Sequence, residues 1–176
     1  CRDIAQKFNN DYKIENFFVV PEPLIKKEFS RIMSLKDGLK KMSKSEVSDL
    51  SRINLTDDKD QIINKIKKAK TDTLPLPSTI EELEKRPEAK NLIGIYSSLM
   101  NNTLQKSIDE FAGKNFSEFK EKLSDVVVNE INPISLKIKE LLDDKVFLEK
   151  ILKDGYEKAN EIASKKIKKI HEIVGF

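Results

Sequence analysis

The chain has 176 residues, and its 33 basic and 30 acidic side chains nearly cancel to a net charge of +3. Its single cysteine, Cys1, excludes an internal disulfide, and no apolar run approaches the roughly 18 residues that a membrane span needs. These features, together with only 5 glycines and 6 prolines, predict a mostly helical protein that lies in the cytoplasm and not in a membrane.

The first segment predicts a helix followed by a short strand. Residues 2–9 place their apolar side chains on one helical face, and an Asn-Asn-Asp turn signal follows them. Residues 17–20 are an apolar run that ends at Pro21, which favours a buried strand with an extended exit. Because the chain begins at Cys1 in a helix that looks already under way, we expect it to be part of a longer protein.

The sequence Lys-Met-Ser-Lys-Ser at residues 41–45 has the clearest chemical meaning. Its flanks, with Gly38 before it and polar residues after it, predict irregular structure over residues 31–52. Two ammonium groups three residues apart, interleaved with two hydroxyls, suit an oligophosphate because they bring positive charge and several donors to anionic oxygens. A charged loop that is simply solvated is the alternative that composition leaves open.

The next segment predicts an amphipathic helix. Thr56 or Asp57 is expected to cap it, and it should end near Lys70. Isoleucines form one stripe, and the opposite, solvent-facing side carries Lys65, Lys67 and Lys68.

Beyond a proline-containing linker at residues 73–77, the remaining patterns are helical. A capping box at residues 78–81 precedes a short helix, and Gly113 stops a third one. Between them, Pro87 opens a helix whose apolar stripe is Leu92, Ile93, Tyr96 and Leu99.

The last third of the sequence predicts long helices with apolar stripes that serve as core. A segment that opens near residue 115 is expected to be kinked or divided at Pro133. Two further helices are expected at residues 146–152 and 154–174. The residues of the last helix expected to face inward are Tyr156, Ala159, Ile162, Ala163, Ile170 and Ile173.

Four ordered blocks of the sequence carry a resemblance to a known family. Residues 41–45 match the signature loop of the class I aminoacyl-tRNA synthetases, and the wider block at residues 31–55 resembles the tryptophan-specific members. The resemblance continues, in order and at plausible spacing, with Ala69-Lys70-Thr71-Asp72, Arg86-Pro87-Glu88 and Asn91-Leu92-Ile93-Gly94-Ile95-Tyr96.

The resemblance implies a fold and an activity. The implied fold is the α/β end of a Rossmann-type catalytic domain over residues 1–72, followed over residues 73–176 by an all-α helical bundle that reads the tRNA anticodon. Family members join tryptophan to ATP, giving the adenylate and pyrophosphate, and then transfer the acyl group to tRNA(Trp). The implied partners are therefore tRNA(Trp), tryptophan and ATP with Mg²⁺, and the full-length protein should be a homodimer.

The resemblance also assigns roles to residues. Lys41, Ser43 and Lys44 are the implied catalytic residues, because they would stabilise charge that moves onto the leaving pyrophosphate. The residues implied to bind ATP are Ile32, at the adenine-contacting position, Lys41, Met42, Ser43, Lys44 and Ser45. No cluster of metal-binding side chains is visible in the sequence, so Mg²⁺ is expected to come with the phosphates.

Parts of the family pattern are absent, and two alternatives remain open. The only histidine is His171, so the His-Ile-Gly-His motif is missing, as is the tryptophan pocket. We therefore expect these 176 residues alone to be inactive. Gly38 also stands where the family often has proline, a departure expected to affect loop stiffness. The alternatives are a piece of the tyrosine-specific enzyme and a non-catalytic helical RNA-binding module.

Overall fold

The computed structural model describes residues 1–24 and 30–176 and divides the chain into two compact units. One unit joins Cys1–Lys26 to Asp144–Phe176, and the other is Lys27–Asp143. Helices make up most of the regular structure, which confirms the expectation of a mostly helical chain. The predicted domain boundary between residues 72 and 73 stays a prediction.

The unit formed by the two chain ends contains two helices in its described residues. They are α1 (Arg2–Asp11) and α7 (Lys145–Val174). Aromatic rings cluster beside α1, where the ring centroid of Phe8 lies 5.4 Å from that of Phe17 and 5.0 Å from that of Phe18. The Asn9 side chain accepts a hydrogen bond from the Phe18 N–H at 3.0 Å and donates one to the Phe18 carbonyl at 2.8 Å.

The strand predicted at residues 17–20 is wrong. These residues form bends and open chain, and Val19 is 82% exposed. A strand needs neighbouring backbone groups to satisfy its own N–H and C=O groups. Here the Asn9 side chain takes that role for Phe18, so the apolar run packs as an aromatic cluster instead of joining a sheet.

The last helix also differs from its prediction. α7 is continuous through Gly155, where the sequence predicts a break between residues 152 and 154. None of its residues is buried, and Tyr156 and Ile162, which were predicted to face inward, are 67% and 75% exposed. Within the described part of its unit, the apolar stripe of α7 is therefore not core.

The Lys27–Asp143 unit contains, in its described residues, a β-hairpin, a 3₁₀ turn and the helices α2 to α6. The hairpin pairs β1 (Met33–Ser34) with β2 (Asp37–Lys41) in an antiparallel and slightly irregular register. The 3₁₀ turn is Asp49–Ser51, and the helices are α2 (Lys59–Lys67), α3 (Ile80–Glu84), α4 (Pro87–Leu99), α5 (Leu104–Phe111) and α6 (Phe116–Asp143). The irregular structure predicted over residues 31–52 is thus wrong for the hairpin, whose second strand ends at Lys41.

The core of this unit forms around α4. Residues 91–97 are all buried, and Leu92, Ile93 and Tyr96 are at most 1% exposed. In α2, α3, α5 and α6, the apolar side chains buried to this degree are Ile62, Ile66, Leu83, Ile108, Phe119 and Leu123. The apolar stripes predicted for α2, for α4 and for the first part of α6 are confirmed.

The structure corrects one predicted helix boundary and decides between two predicted outcomes at a proline. Asp58, rather than Thr56 or Asp57, caps α2, because its carboxylate accepts from the Gln61 N–H while the Gln61 side chain accepts from the Asp58 N–H, each at 2.9 Å. Pro133 lies inside α6, so of the two outcomes predicted there, a kink or a division, the division is wrong.

Among the described residues, none of the helices combines the length and the apolar character that crossing a bilayer requires.

Candidate functional site

Residues 41–45 begin at the last residue of a hairpin whose turn is fixed in the core. Leu35, in that turn, is 2% exposed. Its N–H donates to the Ser51 carbonyl at 2.9 Å, and its carbonyl accepts from the Lys70 N–H at 2.7 Å. The turn is therefore tied both to the segment that follows the loop and to the end of α2.

A buried asparagine of α4 fixes the first strand of the hairpin. The Met33 N–H donates to Oδ1 of Asn91 at 2.8 Å, and Nδ2 of Asn91 donates to the Met33 carbonyl at 2.8 Å. This pair of bonds satisfies both backbone groups of Met33, as a neighbouring strand would. The Asn91 side chain is 3% exposed, so the hairpin is held by a group that solvent does not reach.

The second strand of the hairpin lies directly against the start of α4. A Cβ atom placed on Gly38 would lie 2.6 Å from the backbone N of Glu88 and 2.6 Å from the backbone C of Pro87. Glu88 also forms an ion pair with Lys70 at 2.9 Å, which lowers the pKa of the Glu88 carboxyl. Packing therefore explains why glycine stands at position 38, where the family often has proline, because any larger residue would push the strand away from α4.

Two of the predicted ATP contacts meet at the base of the loop. The Met42 N–H donates to the Ile32 carbonyl at 3.0 Å. Ile32 itself is 46% exposed, whereas Met42 is half-buried and packs against the core. Met42 thus anchors the N-terminal side of the loop, and the Ile32 side chain stands in solvent beside it.

The four polar residues of the loop are all exposed. The Ser43 and Ser45 hydroxyl oxygens lie 2.9 Å apart, and the Ser45 N–H donates to Ser43 Oγ at 3.3 Å. Within residues 1–24 and 30–176, neither Lys41 nor Lys44 takes part in an ion pair. The segment therefore presents two ammonium groups and two hydroxyls to solvent, a donor set suited to anionic oxygens.

A buried lysine behind the loop was missed by sequence reasoning. Lys65, predicted to face solvent, is 3% exposed, and its Nζ lies 2.6 Å from carboxylate oxygens of both Asp57 and Asp49. Asp57 is 4% exposed, whereas the Asp49 side chain is 56% exposed. The hydrogen bond from Lys65, with a further one from Asn54, lowers the pKa of Asp49.

Only a weak sequence pattern indicates that Lys65 is buried and paired with a carboxylate. Lys65 follows the buried Ile62 by one helical turn, so it borders the apolar face rather than opposing it. A buried ammonium needs a carboxylate partner, and Asp57 is free to be that partner because Asp58 takes the cap.

Arg52 joins this buried pair to the loop. Its Nη1 donates to the Glu46 carbonyl at 2.8 Å, its Nε donates to Asn54 Oδ1 at 3.1 Å, and its Nη2 lies 3.1 Å from Asp49 Oδ1. Asn54 Nδ2 in turn donates to Asp49 at 2.9 Å and to Asp57 at 3.2 Å. We call Asp49, Arg52, Asn54, Asp57 and Lys65 the polar network.

The chemistry of the loop is that of a site for an anion. Across residues 1–24 and 30–176, no three His, Cys, Asp or Glu side chains come together in a way that would hold a metal ion. A surface cavity of about 410 Å³ lies beside the hairpin, between Arg31 and Met33 on one side and Pro87 and Lys90 on the other. Residues 41–45 are not in its wall, so the loop donors face open solvent rather than this cavity.

A family model and the curated relatives place this chain in the same family. The family model described as "tRNA synthetases class I (W and Y)" matches residues 1–132. A tryptophan–tRNA ligase of Caulobacter vibrioides is 48% identical over 99% of this chain and 51% of its own length.

Solved structures lead to the same family. The crystal structure of tryptophanyl-tRNA synthetase from Mycoplasma pneumoniae is similar with a TM-score of 0.78 and 25% identity, over 99% of this chain and 51% of that protein. The Campylobacter jejuni enzyme in complex with ADP and tryptophan is similar with a TM-score of 0.65 and 27% identity, over 99% of this chain and 52% of that protein. The chain spans about half the length of the curated relatives that it matches.

Proposed function

The chain belongs to the class I tRNA synthetases of the tryptophan and tyrosine group, and on that premise we propose that it is the later part of a tryptophan–tRNA ligase. The choice of tryptophan over tyrosine is supported by the curated relatives, which are tryptophan–tRNA ligases. The full-length protein would form tryptophanyl adenylate from tryptophan and ATP and pass the acyl group to tRNA(Trp).

The exposed donors of residues 41–45 carry this proposal. Both ends of the segment are tied to the core, by Met42 on one side and by Arg52 on the other, while its ammonium and hydroxyl groups remain open to a ligand. A triphosphate offers the matching charge and acceptors. The side chains of Lys41 and Lys44 would bind it, with Ser43 and Ser45 donating to its oxygens.

The chemical task of these residues is to stabilise negative charge that moves onto pyrophosphate as the bond to the α-phosphate breaks. Charge-assisted hydrogen bonds contribute about 1.5 to 3 kcal/mol each, so losing one that strengthens in the transition state lowers the rate about ten- to a hundredfold. Ile32 would contact the adenine from the base of the loop. Mg²⁺ would reach the site on the phosphate oxygens, because residues 41–45 contain no carboxylate that could hold the ion by itself.

The remaining parts of the proposal concern the whole protein. We propose that residues 1–72 complete a Rossmann-type catalytic domain and that residues 73–176 form the helical domain that reads the anticodon. The full-length protein would act as a homodimer in the cytoplasm, where translation takes place. The 176 residues alone should not catalyse pyrophosphate exchange, because their only histidine, His171, cannot supply a His-Ile-Gly-His motif.

The test is amino-acid-dependent ATP–pyrophosphate exchange by the full-length protein, with tryptophan and tyrosine compared as substrates. We expect exchange with tryptophan, and we expect Lys44→Ala to lower kcat/KM for ATP ten- to a hundredfold while the affinity for tRNA(Trp) stays the same.

Lys40→Ala is the matched control. Lys40 lies next to the loop in β2, its side chain is 75% exposed, and it lies 3.7 Å from Asp37. Its loss should leave exchange unchanged. Exchange with tyrosine alone would reject the choice of amino acid, and equal losses for Lys40→Ala and Lys44→Ala would reject the role of the loop.

A further inference from the structure

The C-terminal side of the loop is anchored by the side chain of Arg52, to which the family resemblance assigns no role. Arg52 donates to the carbonyl of Glu46, the residue that directly follows residues 41–45. Its side chain is 17% exposed, and all three guanidinium nitrogens contact partners. Such a planar fork fixes geometry better than a single ammonium.

The contact from Arg52 is backed by a rigid support. Asp49 and Asn54 orient the guanidinium. Asp49 in turn forms an ion pair with Lys65, and the Asn54 side chain donates to Asp57. The carbonyl of Ser51 accepts from Leu35 in the hairpin turn, so the same support also reaches the N-terminal side of the loop. The polar network therefore sets the distance between the two ends of the loop.

The length of unanchored chain depends on this one contact. With Arg52 in place, only residues 43–45 lie between the bond from Met42 to Ile32 and the bond from Arg52 to Glu46. Without it, the next fixed point among the described residues is Ser48, whose carbonyl accepts from Ser51 at 3.0 Å, so within that part of the chain residues 43–47 would be unanchored. A longer free segment has more conformations, and ordering Lys44 around a phosphate then costs more entropy.

We propose that Arg52 is a positioning residue for ATP. By holding the Glu46 carbonyl, it keeps Lys44 close to the position where the leaving pyrophosphate gains charge. Arg52 does not touch the nucleotide itself. The inference rests on the proposed function of the loop, since it assigns to Arg52 an effect that is transmitted through Lys44.

The kinetic test uses the full-length protein and ATP–pyrophosphate exchange. Arg52→Gln should lower kcat/KM for ATP about tenfold and leave the KM for tryptophan unchanged, because pre-organisation of the phosphate contacts is lost while the amino-acid site is not altered. Arg52→Lys should restore part of the loss, since an ammonium can still reach one acceptor. In a protein that already carries Lys44→Ala, Arg52→Gln should lower kcat/KM for ATP less than twofold, because residues that act through one another have non-additive effects.

Arg86 supplies a matched control for stability. Its side chain is 15% exposed, and it makes a similar fork, with bonds to Asp72 and to the carbonyls of Leu74 and Pro75. Arg86→Gln should lower the urea midpoint about as much as Arg52→Gln but leave kcat/KM for ATP within twofold of the unchanged protein. Equal kinetic losses in both variants would mean that Arg52 acts only through stability.

A second measurement does not depend on catalysis. Limited trypsin digestion, with cleavage after Lys44 followed by mass spectrometry, should be several times faster in Arg52→Gln than in Arg86→Gln, because only the former frees the loop. The inference is overturned if cleavage after Lys44 is equally fast in both variants, or if the kinetic penalties of Arg52→Gln and Lys44→Ala add fully. Faster cleavage in a full-length protein that lacks tryptophan-dependent exchange would reject the proposed function and leave the anchoring role of Arg52 standing.

Discussion

Lysines of the same compact unit differ in their exposure and in their ion pairing. Lys41 and Lys44 are exposed and form no ion pair within the described residues, whereas Lys65 is 3% exposed and contacts two carboxylates at 2.6 Å. A charge in solvent costs little and is available to a ligand, but a charge in the interior must be paired. The contrast teaches that burial, and not residue type, separates the lysines proposed to bind ATP from the structural one.

The largest effect should come from breaking the buried pair. Lys65→Met keeps an unbranched side chain that is one atom shorter but leaves Asp57 without its cation, and such losses cost about 3 to 5 kcal/mol of unfolding free energy. Urea-induced unfolding measures this loss. Lys67→Met, on the exposed side of the same helix, should change the free energy by less than about 0.5 kcal/mol. If the two variants were equally stable, the contrast between buried and exposed lysines would be lost.

A buried neutral group extends the comparison to alkaline pH. Tyr96 is 1% exposed and donates to Glu110 at 3.0 Å, and burial, followed by the nearby carboxylate, raises the pKa of its phenol to about 12. The ordinary pKa of tyrosine is about 10. The stabilising effect should therefore be complete below pH 10, where both states are neutral, and should be lost as the pH rises from about 10 to about 12, because only the unfolded chain ionises there.

The measurement is the urea midpoint as a function of pH. Tyr96→Phe should flatten the decline between about pH 10 and 12, since the group that ionises on unfolding has been removed. Tyr156, which is 67% exposed on α7, provides the control, and Tyr156→Phe should leave the decline unchanged. A steep decline that persists in Tyr96→Phe would show that other groups cause it.

A smaller effect is expected where the hairpin meets α4. Gly38→Ala would place a Cβ atom 2.6 Å from backbone atoms of Pro87 and Glu88, which cannot move as a flexible side chain could. We expect a loss of about 1 to 3 kcal/mol in unfolding free energy, as in other overpacked sites. Gly155→Ala, which meets no atom within 4 Å, should instead stabilise α7 slightly. A neutral Gly38→Ala would mean that the hairpin is not fixed against α4.

The smallest effect on stability should come from the loop lysines. Lys41→Ala and Lys44→Ala remove exposed charges that take part in no ion pair within the described residues, so the urea midpoint should shift by less than the equivalent of about 0.5 kcal/mol. Their effect on ATP use, by contrast, is expected to be large. A substantial loss of stability in either variant would show that these side chains have a structural role, and the comparison with Lys65 would fail.

Several structural features followed from local sequence patterns. The apolar stripes of α2 and α4, the first turn at Pro87 and the stop at Gly113, which has a φ of +74°, all depend on residues close together in the chain. The strand predicted at residues 17–20 and the inward stripe of α7 are wrong because an apolar run cannot specify its partner. Strand pairing and burial depend on residues that are distant in the chain. Among the described residues, no strand pairs with residues 17–20, and no residue of α7 is buried.

The donor set of residues 41–45 is visible in the sequence, since two lysines and two serines at that spacing offer positive charge and hydrogen-bond donors to an anion. The anchoring of that loop was decided only in three dimensions. Asn91 reaches Met33 across 58 positions of the chain, and Arg52, Asp57 and Lys65 become one network only when α2 packs into the core. Short-range patterns specify which groups are present, whereas the distances and burial that determine their roles arise from contacts between residues far apart in sequence.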